Sequence, residues 1–278
     1  MPELPEVETV VRDLRPLLTG QHIRDIRRTT MVALRRPWDE SWVPIVRGRT
    51  IHTVERRGKW IEIALGQQER ATFLVVHLGM TGQLTVAAAS EPFQDHTHLV
   101  ADLDNGNQLR YRDIRRFGSV SVFRDRSEVD AFHQAQQLGP EPFDLDKSHW
   151  LEQLAGTTRL IKSVLLDQTV VAGVGNIYAD ESLFVARIHP TRRACDLKPR
   201  EAERLRQAMV AVLARAIDRR GSTIRNYVGG SGLQGEFQDE FQAYGRTGQE
   251  CVRCQTPMEC LRLGGRASHF CPRCQPAN

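Results

Sequence analysis

The chain opens Met1-Pro2-Glu3-Leu4-Pro5-Glu6. Removal of Met1 leaves a proline secondary amine with a carboxylate beside it. No internal residue can imitate that nucleophile. On attacking a sugar carbon it forms an iminium ion, which cannot discharge by losing an N–H proton. The cation draws electrons from the adjacent carbon and so suits elimination chemistry. An α-amino group titrates near ~8, so a neutral fraction exists at physiological pH, and Glu3 is close enough in sequence to move protons for it. The plainer reading of Pro2 is a residue that starts a helix.

Further along the chain, other residue types suit a polyanion. Lys59, in Arg56-Arg57-Gly58-Lys59-Trp60, stands at the mouth of an expected strand, where it reaches a phosphate or is simply a surface lysine. The segments His77-Leu78-Gly79-Met80-Thr81-Gly82 and Asp113-Ile114-Arg115-Arg116-Phe117-Gly118 place Met80, Arg115 and Phe117 between strands. A thioether, a guanidinium and an aromatic ring can wedge into a base stack and fill the gap left by an extruded nucleotide; the plainer reading is that Met80 and Phe117 are core. Gly173-Val174-Gly175-Asn176 is a sharp turn ahead of a helix, either a phosphate cradle or an ordinary connection.

Four of six cysteines are spaced Cys251-x2-Cys254-x16-Cys271-x2-Cys274. Two such knuckles converge four thiolates on one structural Zn²⁺, with no coordination position left open for catalysis. A disulfide pair is the alternative, and a cytosolic setting favours the metal. Arg266 lies at the tip between the knuckles, projected by a zinc-braced hairpin toward a phosphate or groove. Cys195 and Cys260 read as ordinary thiols.

These groups need a frame. Val7, Val10, Val11, Leu14, Leu17 and Leu18 form one helix face, and Gly20 is a stop. From Gln21 to Phe123 the rhythm is period two, with strands expected at 51–55, 60–65, 72–77, 83–86, 98–103, 108–111 and 119–123 and a hairpin turn at Asp104-Asn105-Gly106. One helix followed by many short strands predicts a β-sandwich. Residues 125–150 are mixed, and Gly139-Pro140-Glu141-Pro142 reads as a linker. Helices are then expected at 149–155, 160–167, 177–186 and about 200–220, followed by a polar, Gly-rich stretch, 221–248.

The net charge is +4. Residues 187–278 carry 16 Lys+Arg against 9 Asp+Glu, leaving the remainder of the chain acidic. A basic C-terminal third fits nucleic acid, or is a solvated charged surface. No apolar run is long enough to span a membrane, and the acidic first residues lack a secretory signal. A cytoplasmic, nucleoid-associated protein is expected. No apolar stripe is left over for a dimer seam, so a monomer is expected.

Together these segments resemble the bacterial formamidopyrimidine-DNA glycosylase family. The likeness covers nearly the whole chain: PELPEVETV at 2–10, RRGKW at 56–60, HLGMTG at 77–82, YRDIRRFG at 111–118, LLDQTVVAGVGNIYADESLF at 165–184, FQAYGRTGQEC at 241–251 and CPRCQ at 271–275. It implies an α+β multidomain fold. An N-terminal helix on a two-layer β-sandwich spans 1–138, a helix-two-turns-helix domain with a lesion loop spans 139–240, and a zinc finger spans 241–278, with DNA in the cleft between domains. By matching position, Pro2 is the Schiff-base nucleophile, Glu3 its acid/base partner, and Lys59 and Arg266 complete the catalytic group. Glu6 helps order the site. Met80, Arg115 and Phe117 replace the extruded base, with Arg115 facing the orphaned cytosine, and Asn176 and Arg266 clasp phosphates. Glu6, His77, His98, Lys162 and Tyr244 are further DNA-binding positions. The Ser222–Phe237 segment matches the loop over the damaged purine. Two departures bear on substrate preference: Ile114 stands where the family usually has proline, leaving the wedge loop less rigid, and Asn226 replaces a frequent aspartate.

The resemblance implies a base-excision repair glycosylase and lyase that acts on double-stranded DNA containing oxidised purines or abasic sites. An endonuclease VIII-like enzyme for oxidised pyrimidines shares the chemistry. A DNA-binding protein without catalysis would need only the zinc finger and the basic third.

Overall fold

The computed structural model describes residues 2–30, 34–67, 71–223, 230 and 233–277. The chain divides into two compact units, one of Met1–Gln136 with Arg219–Glu236 and one of Gln137–Asp218 with Phe237–Asn278.

In the first unit, helix α1 (Leu4–Leu18) turns Leu4, Val7, Val10, Val11, Leu14 and Leu18 into the core, all fully buried. Among the described residues, eight strands follow in two antiparallel four-stranded sheets: β1 (Ile23–Arg28), β2 (Ile51–Arg57), β3 (Trp60–Leu65), β4 (Thr72–His77), β5 (Gly82–Ala88), β6 (Thr97–Leu103), β7 (Asn107–Asp113) and β8 (Ser119–Phe123). One sheet runs β1-β6-β7-β5 and the other β2-β3-β4-β8. Alternation assigns the faces: Ile61, Ile63 and Leu65 of β3 and Leu74 and Val76 of β4 enter the shared core with α1 and the first sheet. The odd residues out, Ala64, Phe73 and Val75, form a second apolar cluster with Val129. The short helix α2 (Val43–Val46) lies near β1. Helix α3 (Arg126–Ala135) starts at Asp125, whose carboxylate accepts the Glu128 N–H at 2.9 Å, and covers the outer face of the second sheet.

The second unit is helical: α4 (Lys147–Ala155), α5 (Ile161–Leu166), α6 (Asn176–Ala186) and α7 (Pro199–Asp218), followed by a hairpin of β9 (Glu259–Leu263) and β10 (Arg266–Phe270). The stripe on α7, Ala202, Leu205, Ala208, Met209, Val212, Leu213, Ala216 and Ile217, is buried as its period requires. No helix among the described residues is long and apolar enough to cross a membrane.

Candidate active site and nucleic-acid interface

Pro2 is buried at the head of α1, and Glu3 is the extended N-cap residue, 2% exposed. A reciprocal capping box holds the turn. The Glu3 carboxylate accepts the Glu6 N–H, while Glu6 Oε2 accepts the Glu3 N–H at 2.8 Å. Glu6 Oε1 accepts the N–H and hydroxyl of Ser222 at 2.8 and 3.1 Å. The backbone before Ser222 comes in at Gly221, where φ is +70° and a Cβ would lie 2.8 Å from Glu6 Oε1; only glycine fits there. Glu6 is 1% exposed with both oxygens engaged by the chain. That is an ordering role. The geometry supplies that ordering contact, and a contact of Glu6 with DNA stays an expectation.

The remaining candidates of this unit gather where strands begin and end. Lys59 follows Gly58, at φ +57°, in the turn joining β2 to β3, and is 8% exposed. Trp60 pairs with His77 across β3 and β4, with their rings 4.5 Å apart. His77 Nδ1 accepts the Gly79 N–H at 3.1 Å. Burial, then the charges of Lys59 and Arg35, press the His77 pKa down to about 4, so the ring is a neutral acceptor. In register, His77 also meets Ser119, and Gly82 meets Asp113. The loops 78–81 and 114–118 therefore leave from these paired strand ends.

Asp113, fully buried, locks those two loops. Its Oδ1 accepts Thr81 Oγ1 at 2.6 Å and the Arg115 N–H at 3.2 Å, and its Oδ2 accepts the Gly118 N–H at 2.8 Å. Tyr111 donates its hydroxyl to the same oxygen at 3.3 Å; burial and the Asp113 charge raise its pKa and keep it protonated. A Cβ on Gly79 would come within 2.5 Å of Gly118 N, so the loops touch backbone to backbone. What they present outward is Met80, 39% exposed, Phe117, 45% exposed, and Arg115, whose guanidinium lies 4.6 Å over the Phe117 ring. The core reading of Met80 and Phe117 therefore fails. His98 is buried beneath: its Nε2 meets the Asp113 carbonyl at 2.9 Å and its Nδ1 meets Thr30 Oγ1 at 3.0 Å. It supports the loop from beneath.

In the second unit, the Gln168 side chain shapes the turn before α6. Its amide nitrogen donates to the Val174 carbonyl at 2.8 Å and its oxygen accepts the Gly173 N–H at 2.9 Å, with Gly173 at φ +87°. Asn176 opens α6; its Nδ2 donates to the Ala267 carbonyl at 3.0 Å, and its buried Oδ1 has no hydrogen-bond partner among the described residues. Glu181 accepts the N–H groups of Gln242, Ala243 and Tyr244 at 2.8–3.2 Å, and burial pushes its pKa up. Tyr244 is half-buried, its ring 5.1 Å from that of His269. Lys162 is wholly buried, and its ammonium donates to Asp180 Oδ1 at 2.6 Å and the Ala267 carbonyl at 2.7 Å. These two bonds tie α5 to α6 and to β10. Arg266 is exposed beside the Gly264-Gly265 tip.

The four knuckle sulfurs lie within 4.8 Å of one another, with Cys254 to Cys271 at 3.5 Å and Cys251 to Cys274 at 3.9 Å. Tetrahedral thiolates on zinc sit about 3.8 Å apart, given Zn–S bonds of about 2.3 Å, whereas a disulfide requires about 2 Å. The N–H groups of Arg253 and Cys274 point at Cys251 and Cys271 Sγ, at 3.5 and 3.3 Å. The residues fit one structural zinc ion. Cys195 and Cys260 are exposed and outside the cluster.

Sequence reasoning overlooked Asp113, Ser222, Asp180 and Glu181. A signal existed for the last two: two adjacent acids in an otherwise apolar helix must be paired if that helix is core. Met1 and Asn226 lie outside the described residues, as does half of the lesion-loop segment.

Three family models match the chain: the formamidopyrimidine-DNA glycosylase N-terminal domain over residues 1–120, the formamidopyrimidine-DNA glycosylase H2TH domain over 138–228, and the zinc finger found in FPG and IleRS over 248–277. The chain is 45% identical over 278 residues to the formamidopyrimidine-DNA glycosylase of Geobacillus kaustophilus, an alignment covering 99% of this chain and 100% of the relative. Among solved structures it resembles a Lactococcus lactis FPG mutant in complex with a Fapy-dG containing DNA, with a TM-score of 0.92, 36% identity, and 99% and 100% of the two chains covered. It also resembles Lactococcus lactis Fpg in complex with an abasic site containing DNA, with a TM-score of 0.90, 36% identity, and 98% and 99% covered.

Proposed function

Because the chain belongs to the formamidopyrimidine-DNA glycosylase family, we propose that it excises oxidised purines, 8-oxoguanine and formamidopyrimidines, from duplex DNA and then cuts the strand at the emptied sugar. With Met1 removed, the Pro2 nitrogen attacks C1′ of the extruded nucleotide. The N–C1′ bond forms as the glycosidic bond breaks, and Glu3 moves the protons; the C1′–O4′ bond then opens, O4′ taking a proton, and the ring-opened sugar is left as the Pro2 iminium. The iminium acidifies the C2′ proton; its loss expels the 3′ phosphate, and a second elimination expels the 5′ phosphate. A one-nucleotide gap with phosphate ends remains. Holding the amine against C1′ supplies part of the rate, and the buried surroundings of Glu3 strengthen its electrostatic effect.

Met80, Arg115 and Phe117 fill the space the nucleotide leaves, with Arg115 toward the orphaned base. Lys59, His77, Asn176, Tyr244 and Arg266 meet the backbone. Glu6, His98 and Lys162 work beneath that surface. Zinc, held by Cys251, Cys254, Cys271 and Cys274, supplies structure to the hairpin and no chemistry. Pro2, Glu3 and Lys59 of 1–138 carry the chemistry with Arg266 of 241–278 completing the catalytic group, the phosphate grip belongs to 139–240 and 241–278, and the protein acts as a monomer on nucleoid DNA.

One observation supports this reading above the rest: a fully buried Asp113 pins two loops so that a methionine, a phenylalanine and an arginine stand in solvent. An apolar pair held outward at that cost has a natural partner in a base stack. Sodium borohydride with an 8-oxoguanine duplex should trap a covalent protein–DNA adduct. Correctly processed protein that gives no adduct and leaves an abasic duplex uncut refutes the mechanism. Faster cleavage of thymine glycol than of 8-oxoguanine opposite cytosine would move the substrate to the pyrimidines.

A further inference from the structure

Asp180 is 1% exposed on α6 and joins three separate segments. Its Oδ1 accepts the Lys162 ammonium of α5 at 2.6 Å. Its Oδ2 accepts the His269 N–H at 3.0 Å and meets His269 Nδ1 at 2.9 Å. Lys162 Nζ and Asn176 Nδ2 both donate to the carbonyl of Ala267, at 2.7 and 3.0 Å.

Ala267 and His269 are alternate residues of β10, which pairs on one side with β9 in a two-stranded sheet. In an antiparallel ribbon, alternate residues direct their peptide groups to the same edge. The outer edge of β10 is therefore met by side chains of α5 and α6 as a third strand would meet it, with donors at the Ala267 carbonyl and an acceptor at the His269 N–H. Arg266 is the next residue outward, at the exposed end of that strand. Asn176 is oriented by the same Ala267 carbonyl.

We infer that Asp180 is a positioning residue for the phosphate grip: it clamps the edge of β10, and with Lys162 it sets the spacing between Arg266 and Asn176. The inference rests on the reading that those two residues contact the DNA backbone. An asparagine at 180 keeps the volume but turns one acceptor into a donor, which then faces the Lys162 ammonium or the His269 N–H. It also leaves the buried lysine without its anion, a costly arrangement.

The test is Asp180→Asn, with zinc content measured and with binding to a duplex carrying a tetrahydrofuran abasic analogue followed across salt concentration. The variant should retain one zinc per chain, bind about tenfold more weakly, and lose about one unit of salt slope, as for one phosphate contact removed. Arg266→Ala should cost less in the Asp180→Asn background than in the wild type, because the two act through one strand. Wild-type affinity and slope in the variant overturn the inference, as do additive losses. Loss of zinc from the variant also overturns it, since Asp180 would then be a folding residue of the finger. Wild-type protein that fails to bind the duplex sinks the underlying reading instead, and the two failures show in different samples.

Discussion

Glu6 on the first helix accepts both the N–H and the hydroxyl of Ser222, at 2.8 and 3.1 Å, across 216 residues of sequence. The same carboxylate holds the Glu3 N–H through its other oxygen. One buried side chain thus ties the turn that carries Pro2 and Glu3 to the segment that begins the lesion-loop region.

That arrangement predicts a stability effect as well as a rate effect. Glu6→Gln retains one acceptor and sets an amide donor against an N–H group, which should cost about 1–3 kcal/mol, read by urea unfolding. Borohydride trapping should slow in the same variant, since the frame of Pro2 and Glu3 is loosened. Gly221→Ala, with its Cβ forced against Glu6, should reproduce both changes. A Gly221→Ala protein with unaltered unfolding and trapping would contradict the close approach.

Asp113 offers a way to separate base extrusion from strand cutting. Asp113→Ala strips Thr81, Arg115 and Gly118 of a shared acceptor and frees the loops that carry the wedge. Extruding an intact base costs a few kcal/mol of unstacking, whereas an abasic sugar has no base to unstack. Excision of 8-oxoguanine should therefore fall about tenfold, roughly the effect of 1.4 kcal/mol, while cleavage of a preformed abasic site changes far less. Equal losses in single-turnover assays of the two substrates would remove the loops from the extrusion step.

His77 predicts a pH dependence whose sign follows from its depressed pKa. Between about 4, its folded value, and 6.5, its ordinary one, the folded protein binds fewer protons than the unfolded chain. Stability contributed by the neutral ring is therefore present above 6.5 and is lost as pH falls through the window, by up to about 3 kcal/mol. Protonation at Nδ1 also breaks the bond from the Gly79 N–H, in the turn ahead of Met80. Chemical denaturation at pH 7.5 and 5 should show this loss, and His77→Gln should flatten it. A variant as acid-sensitive as the wild type would assign the slope elsewhere.

Much of this was legible in the sequence where a single period dominates. β3, β4 and β8 have the bounds their apolar patterns predict, and the α7 stripe is buried as its spacing requires. β1, α2 and α3 were not legible; α2 is a single short turn, Val43–Val46. β1 carries four charged residues between and beside Ile23 and Ile26, and a bulge against β6 breaks its alternation. α3 fully buries only Val129 among its apolar residues, so its period is faint; Glu62, on the strand beneath, holds Arg126 at 2.8 Å and His133 at 2.7 Å. In the site, residue types that meet solvent could be read as chemistry. The buried acids beneath them could not be placed, because their partners are backbone N–H groups and side chains of distant segments that sequence spacing does not reveal.

The zinc cluster and Arg266 can be told apart by two losses. Cys254→Ser removes one of four thiolates, so the ion should dissociate and the hairpin between the knuckles should lose its brace. Zinc release is read with a chromogenic chelator. The sandwich has its own core around α1 and should keep its cooperative unfolding. Arg266→Ala leaves every sulfur in place and should retain zinc while weakening binding to an abasic duplex. If Arg266 acts only through the braced hairpin, adding Arg266→Ala to Cys254→Ser should cost little more. Full activity in both single variants would take the finger out of the functional site and leave the chemistry to the first unit.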